Sequence, residues 1–469
     1  MLQMDIEVGP GLSEEQARQI FAQGEEAVIF ALLKLAQLAN QTNSANSNLS
    51  TPSGMKPPFE KPNNKRKRKK PGRKPGHPPA RRAKPDHIDN REDHRADSCP
   101  DCGGPLNRCA ETRTRYTEDI PENIQAVVTE HTIHRDWCPK CKKKVEAPVT
   151  AALPKATLGN RILVLSAWLH YALGNTLSQI VEVFNFHLQF KISHGGLLAM
   201  WFRLQEILYP WYEQLQHEAL RKAVLHADET GWRVDGQTHW LWCFADPDLS
   251  FFLIHRSRGS PALERFFLHE FRGTLVSDFW AAYNAVDCAQ RQTCLVHLLR
   301  ELEQVDKYKS PDEDWPAFAK KLRRLIGDGI RLWRRRDDLS EEVYDRRRQQ
   351  LHMRLLEITD EPWQNGQAKR LIKRLRRHAD EILTFLYEAS VPFDNNLAER
   401  SIRPAVIIRK NSYGNRSEQG ADAQAVFMTI FQTLKKRGHN PILTITKALT
   451  TYLQTGQLPP LTGKNTSAQ

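Results

Sequence analysis

Three acidic residues stand where a carboxylate can do more than face solvent. Asp228 lies in Leu225-His226-Ala227-Asp228-Glu229-Thr230, Asp278 closes Leu275-Val276-Ser277-Asp278, and Glu399 follows Asn395-Asn396-Leu397-Ala398. Brought together, such oxygen donors hold hard divalent cations, Mg²⁺ or Mn²⁺. Two ions in one site can activate an attacking oxygen and stabilise the leaving oxygen of a phosphodiester. A single acid near a strand end is an ordinary surface or capping group, so this chemistry needs all three in one place. Glu229 is set aside as a ligand, because neighbours on a strand point to opposite faces.

A second constellation is soft. Cys99-Pro-Asp-Cys102-Gly103 and Cys138-Pro-Lys-Cys141-Lys142 are matching knuckles separated by 35 residues. Two CxxC turns set four thiolates at the corners of a tetrahedron around one structural Zn²⁺, with backbone amides stabilising the sulfur charge. A thioredoxin-like redox pair is the rival reading, but redox motifs do not come in twos flanking a β-rich segment. Cys109, His94 and His134 are alternative single ligands, whereas Cys243, Cys288 and Cys294 sit in apolar context and read as core.

The acids need a scaffold, and the pattern supplies one. Residues 223–229 read as a strand, and 232–234 and 238–245 flank an Asp235-Gly236 hairpin turn. A third strand follows at 251–255, a helix at 261–269, a fourth strand at 274–277, a helix around 280–286 and a fifth strand at 292–296. His297 then opens another helix. Three meandering strands followed by alternating helix and strand is the order of a ribonuclease-H-like α/β fold. In that sheet the first and fourth strands are neighbours, which brings Asp228 and Asp278 to one edge.

Around this core, 219–305 with 391–440, the chain reads as a multidomain α/β protein. Residues 1–40 form an amphipathic helix suited to oligomerisation, 41–95 a disordered basic linker, and 96–150 a zinc-ribbon-like module. Residues 151–218 form helices with a helix-turn-helix-like rhythm, 306–390 an all-helical, highly charged insertion, and 441–469 a C-terminal helix with a disordered tail. The run 61–84 holds 12 basic residues and no acid, and subtracting them from the net charge of +13 leaves +1 for the other 445 residues. Such an arm (Lys65, Arg66, Lys67, Arg68, Lys69, Lys70, Arg73 and Lys74 at its centre) binds polyanions by counterion release, blind to sequence. With 40% apolar and 26% charged residues the composition is ordinary globular. No run reaches the ~18 apolar residues of a membrane span, and no signal pattern opens the chain. A soluble, intracellular, multi-domain protein is the expectation.

Several segments together resemble one family. Asn395-Asn396-Leu397-Ala398-Glu399-Arg400-Ser401-Ile402-Arg403-Pro404 with Arg409-Lys410-Asn411 is similar to the signature around the catalytic glutamate of transposases of the insertion sequence sixty-six family. Ser277-Asp278-Phe279-Trp280-Ala281-Ala282-Tyr283-Asn284 and Cys294-Leu295-Val296-His297-Leu298-Leu299-Arg300 resemble the region of its second aspartate. The zinc module, the stretch Asn46-Ser47-Asn48-Leu49-Ser50-Thr51-Pro52-Ser53 and the Pro-Gly-Arg-Lys-Pro-Gly-His run fit as well. The departure is Tyr413-Gly414-Asn415-Arg416-Ser417, where the family commonly has an aromatic-Ala-Gly-Ser turn.

The resemblance implies a DDE transposase that binds the terminal inverted repeats of a mobile element, cuts there, and joins the freed 3′-hydroxyls to target DNA. Asp228, Asp278 and Glu399 would then be its catalytic, Mg²⁺-binding triad. Arg403, Arg409 and Lys410 would clamp phosphates, with Arg400, His297 and Trp280 as accessory groups; Tyr283 and Trp280 otherwise read as core. Joining two ends demands at least a homodimer on DNA, with accessory proteins of the same element as further partners. Two rivals stand beside this reading: a nuclease of the same fold that never joins strands, and a catalytically silent zinc-ribbon regulator.

Overall fold

The computed structural model of the chain describes residues 85–465 except 96, 100, 108–113, 118–123, 125 and 309–313, together with 18, 21, 22 and 28. Apart from those four positions, the expected N-terminal helix lies outside the described residues. So do the arm residues Lys65, Arg66, Lys67, Arg68, Lys69, Lys70, Arg73 and Lys74, and Cys109. The first regular elements described are β1 (Arg135–Cys138) and β2 (Lys143–Glu146), an antiparallel hairpin whose tip carries Cys138 and Cys141.

Three helices follow: α1 (Asn160–Tyr171), α2 (Leu177–Glu182) and α3 (His194–Ala219). Thr176 and Gln179 close a reciprocal capping box that fixes the start of α2. The helices that give the helix-turn-helix-like rhythm bury one side against the sheet. Leu163, Trp201, Leu204 and Trp211 are buried in the same core as Phe244 and Phe251 of the sheet, and Trp201 Nε1 donates to Ser166 Oγ at 3.0 Å.

The sheet begins with β3 (Val224–Val234), β4 (Gln237–Ala245) and β5 (Ser250–His255), an antiparallel meander. Asp235 (φ 47°) and Gly236 (φ 71°) both take positive φ, the two-residue geometry that matches strand twist. After α4 (Ser260–Phe267), β6 (Phe271–Ser277) joins the other side of β3 in parallel, and β7 (Cys288–Thr293) pairs in parallel beyond it. The order is β5-β4-β3-β6-β7. α5 (Leu295–Tyr308) follows the last strand, and α6 (Trp315–Arg334), α7 (Glu341–Asp360) and α8 (Gly366–Arg377) lie in the insertion. α9 (Asn396–Ser412), α10 (Glu418–Lys436) and α11 (Pro441–Thr455) complete the body.

Strand alternation sorts the side chains onto two faces. Leu225, Ala227, Trp242, Phe244, Phe251 and Leu253 meet α1, α3 and α4. Trp232, Val234, Leu241, Cys243, Phe252 and Ile254 meet Ile402, Ala405 and Ile408 of α9. Asp228 has the parity of Trp232 and Val234, so it belongs to the face that α9 covers.

Boundaries differ from the sequence reading in four places. The fifth strand ends at Thr293; Cys294 and Leu295 are buried, and Leu295 opens α5. The helix expected after Trp280 is a single 3₁₀ turn, Ala281–Ala285. The helix that the sequence suggests over 395–402 is longer: α9 runs on through Pro404 to Ser412, since packing against β3 and β4 outweighs the one backbone donor that proline lacks. The expected disordered tail is tied down as far as it is described: Trp211 Nε1 donates to Pro459 O at 2.6 Å and Leu461 is buried against α3.

The departing segment after α9 is fastened to the sheet. Asn415 N donates to Arg233 O (2.9 Å), Asp235 N to Asn415 O (3.0 Å), and Trp232 Nε1 to Asn415 Oδ1 (2.7 Å). Gly414 takes φ 128°, and a Cβ there would lie 2.2 Å from Arg233 O. Gly414→Ala combines a forbidden backbone region with a backbone clash, so we expect a loss of about 2–4 kcal/mol in urea unfolding. A change below about 0.5 kcal/mol would contradict this packing.

Candidate active site

The pairing of β3 with β6 sets the first two acids. Val224, Leu225 and His226 oppose Thr274, Leu275 and Val276. Continued by two residues, that register puts Asp228 across from Asp278, where β6 has just ended. Asp228 Oδ1 accepts the Glu229 amide (3.0 Å), and Asp278 Oδ1 accepts the Trp280 amide (2.8 Å). Burial pushes the Asp228 carboxyl well above its ordinary range, and the charges of Glu229, Asp278 and Glu399 push it the same way. Burial also raises Asp278, and Glu399 adds to it, while the Trp280 amide, Arg258 and Arg374 pull against that rise. Carboxyls that resist ionising because they crowd one another are the donor set a divalent cation stabilises.

Glu399 sits on α9, one turn beyond Asn395, where its charge raises both Asp228 and Asp278, although the oxygens of the three acids do not all come within 4.8 Å of one another. Asn395 is buried and stitches the helix start to the sheet: Nδ2 donates to Ala227 O (2.7 Å), Oδ1 lies 3.0 Å from His226 Nδ1, and its amide donates to Cys294 Sγ (3.2 Å). Arg300 grips Glu399 with both terminal nitrogens, at 3.3 and 3.4 Å, and His297 Nε2 lies 3.7 Å from Glu399 Oε1. The accessory histidine expected from sequence therefore sits beside Glu399, on the third residue of α5. Among the described residues, ligand atoms of three or more His, Cys, Asp or Glu come within 4.8 Å of one another at Cys294, His297 and Glu399 alone. Burial pushes the Cys294 thiol up to about 11, and it accepts an amide hydrogen bond, which makes it a neutral packing group here.

Glu229 faces the other side of the sheet, as its parity requires. It is buried, held by Arg258 (2.9 Å) and by the Tyr283 hydroxyl (2.6 Å). Burial and the charge of Asp278 raise it to about 7 against the pull of Arg258. Arg258 lies between the rings of Trp240 (4.4 Å) and Trp280 (3.9 Å), and Trp280 Nε1 donates to Arg258 O. Tyr283 is thus core, and Trp280 is stacked on an arginine.

The basic residues of the glutamate segment divide. Arg409 is turned onto β3, bonded to Thr230 Oγ1 (2.9 Å) and Gly231 O, so its role here is to hold the helix to the sheet. Arg400, Arg403 and Lys410 are exposed on α9. Sequence reasoning does not single out Arg374, which α8 lays over the Phe279 ring at 4.4 Å, beside Asp278, while Glu301 of α5 pairs with it. Its signal is the dense basic face of α8, which reads only as charge. Asn395, Arg258 and Arg300 escape sequence reasoning because their partners lie 29 to 169 residues away.

The knuckles suit thiolate donors one by one. Gly103 N donates to Cys99 O, and Cys141 N lies 3.4 Å from Cys138 Sγ. Hydrogen bonds from the Cys102 amide, and from the Cys141 amide in the second turn, lower the Cys99 and Cys138 thiols. The four sulfurs of Cys99, Cys102, Cys138 and Cys141 are not gathered into one cluster among the described residues.

Comparison with known proteins gives these features a context. A family described as "Transposase IS66 family" matches residues 155–423, and one described as "zinc-finger binding domain of transposase IS66" matches 96–142. Two relatives come from Sinorhizobium fredii, both described as uncharacterized proteins. The chain is 26% identical to y4qI over 245 residues, 46% of this chain and 44% of that one. It is 24% identical to y4jD over 390 residues, 73% of this chain and 72% of the relative. The chain therefore spans less than half the length of the first relative.

Proposed function

The chain belongs to the transposase IS66 family, and on that premise we propose that it cuts DNA at the inverted repeats of an insertion sequence and joins the freed 3′ ends to target DNA. The observation that carries the reading is the parallel pairing of β3 with β6, which sends the chain toward Asp228 and Asp278 on neighbouring strands, with Glu399 on α9, the helix packed against β3 and β4. We read the order β5-β4-β3-β6-β7, antiparallel then parallel, as a ribonuclease-H-like core interrupted by the helical insertion.

Asp228, Asp278 and Glu399 would hold the divalent cations, Mg²⁺ or Mn²⁺. Bound there, such cations supply Lewis acidity and lower the pKa of an attacking water or hydroxyl. The chain's own part is positioning. Asn395 fixes the start of α9 against Ala227, Arg300 and His297 orient the Glu399 carboxylate, and the Arg258–Glu229–Tyr283 network braces the strand end beneath Asp228. Arg400, Arg403 and Lys410 are the exposed cations on the glutamate helix and would meet scissile-strand phosphates. The arm 61–84 would add sequence-blind affinity, and the zinc module, with Cys99, Cys102, Cys138 and Cys141 on one Zn²⁺, a further DNA contact. Two DNA ends joined in one event call for at least two copies on DNA. No helix among the described residues is long and apolar enough to cross a membrane.

Incubating the full chain with a duplex carrying the element end, a target plasmid and Mg²⁺ tests this. The expected products are a cleaved end and a joined plasmid. Cleavage without joining would indicate the nuclease, and binding without cleavage the silent regulator.

A further inference from the structure

The helical insertion carries a cavity of about 950 Å³ between α6 and α7. Arg331, Arg334, Arg335, Arg346, Arg347 and Arg354 line it, against two acids, Asp328 and Glu357. Asp328 is engaged by Arg331 and by Arg354, the latter at 2.9 Å. Arg334, Arg335, Arg346 and Arg347 are exposed and have no side-chain partner among the described residues. Four uncompensated guanidinium groups around one concavity repel each other, and a multivalent anion relieves that repulsion.

The same lining has an apolar part, Leu332, Leu339, Leu351 and Met353, of which Met353 is 56% exposed. A ligand matching both parts has phosphates for the guanidinium groups and flat apolar groups for these side chains. An unpaired nucleic-acid strand offers both, whereas a duplex keeps its bases stacked inside and presents phosphate alone.

Packing links the cavity to the acid centre. Trp333, between the lining residues Leu332 and Arg334, meets Phe393 edge-on at 5.5 Å. Phe393 O accepts the Leu295 amide at the start of α5, and Asn395 follows two residues later.

We propose that this cavity seats an unpaired stretch of DNA strand, phosphates on the four free arginines and base faces against the apolar lining residues, Met353 first among them. The inference rests on the DNA-acting reading above and adds to it a site apart from the carboxylates. Fluorescence anisotropy with the full chain tests it, using a labelled single strand of about 15 nucleotides and the duplex of the same sequence at about 150 mM salt. The Arg334→Gln/Arg335→Gln/Arg346→Gln/Arg347→Gln variant is compared with a charge-matched one, Arg161→Gln/Arg221→Gln/Lys447→Gln/Lys464→Gln. All eight positions are exposed, so both variants are expected to fold, which circular dichroism checks.

The cavity variant is expected to lose about ten-fold or more in single-strand affinity, with a smaller loss for duplex. Its log–log salt slope is expected to flatten by about 0.7 per phosphate contact removed. The control is expected to lose no more than about three-fold. Equal losses in the two variants, or a larger loss for duplex than for single strand, would overturn the proposal. If the cavity variant binds as wild type while Asp228→Asn abolishes cleavage, the cavity inference fails alone. If strand binding depends on the cavity but wild type neither cleaves nor joins, the proposed function fails alone.

Discussion

Asp228→Asn is expected to lower metal-dependent strand cleavage by about 10³-fold or more while leaving the apo protein as stable as wild type, or more stable, at neutral pH. The two halves have one origin. Asp228 is crowded by Glu229, Asp278 and Glu399 in a desolvated place, so its folded-state pKa stands well above the ~3.9 of an unfolded chain. A carboxyl raised on folding contributes stability that is complete below the unfolded pKa and is lost as pH rises through the folded one. Above the unfolded pKa the buried carboxyl's resistance to ionising therefore burdens the apo fold, and the amide removes that burden. Every tenfold weakening of an acid on folding corresponds to about 1.4 kcal/mol.

Thermal unfolding reads this out in chelator. The variant should match or exceed wild type near neutrality, and the difference should vanish near pH 4, where wild type is protonated. Added Mn²⁺ should stabilise wild type more as pH rises, by about 2.7 kcal/mol at a hundred times its dissociation constant, and should do little for the variant. A structural aspartate behaves in the opposite way. If the substitution costs stability at pH 7 and cleavage falls only in proportion to unfolding, Asp228 is a scaffold residue.

The second large effect is expected at Asn395, which touches no substrate in this account. Asn395→Ala removes the donor to Ala227 O and the partner of His226 Nδ1, leaving buried polar groups unpaired at a cost of about 1–3 kcal/mol. It also frees the start of α9, and a misplaced Glu399 should cost about 10- to 100-fold in kcat. DNA affinity should stay within about two-fold, because no cation is lost. Asn395→Asp keeps the acceptor and loses the donor, so it should fail nearly as badly. Retention of kcat by the alanine variant at temperatures where it is folded would show that Glu399 needs no such stitch.

How much of this is legible in the chain depends on the range of each interaction. The Asp235-Gly236 turn follows from two adjacent residues, and with it the β3–β4 pairing that aims Asp228. The strand order likewise follows from local periodicity plus the rule that parallel connections carry helices. A period of two assigns Asp228 and Glu229 to opposite faces, and the sheet holds them so. The 3₁₀ turn after Trp280 and the passage of α9 through Pro404 are not legible, because tertiary packing decides both. Arg258 between two tryptophans, Arg300 on Glu399 and Arg374 over Phe279 join residues that only the folded chain brings together. A lone arginine carries no mark of its partner. The helices 160–219 carry no such mark either: helices with sharp breaks have the same rhythm whether they read a groove or bury Trp201.

The central claim, that residues 228, 278 and 399 make one cation site, is tested most directly by anomalous scattering from crystals of the full chain grown with Mn²⁺. The account predicts manganese signal bounded by the carboxylates of Asp228, Asp278 and Glu399 together. Saturating manganese that leaves that place empty, or seats elsewhere without these three residues, would contradict it.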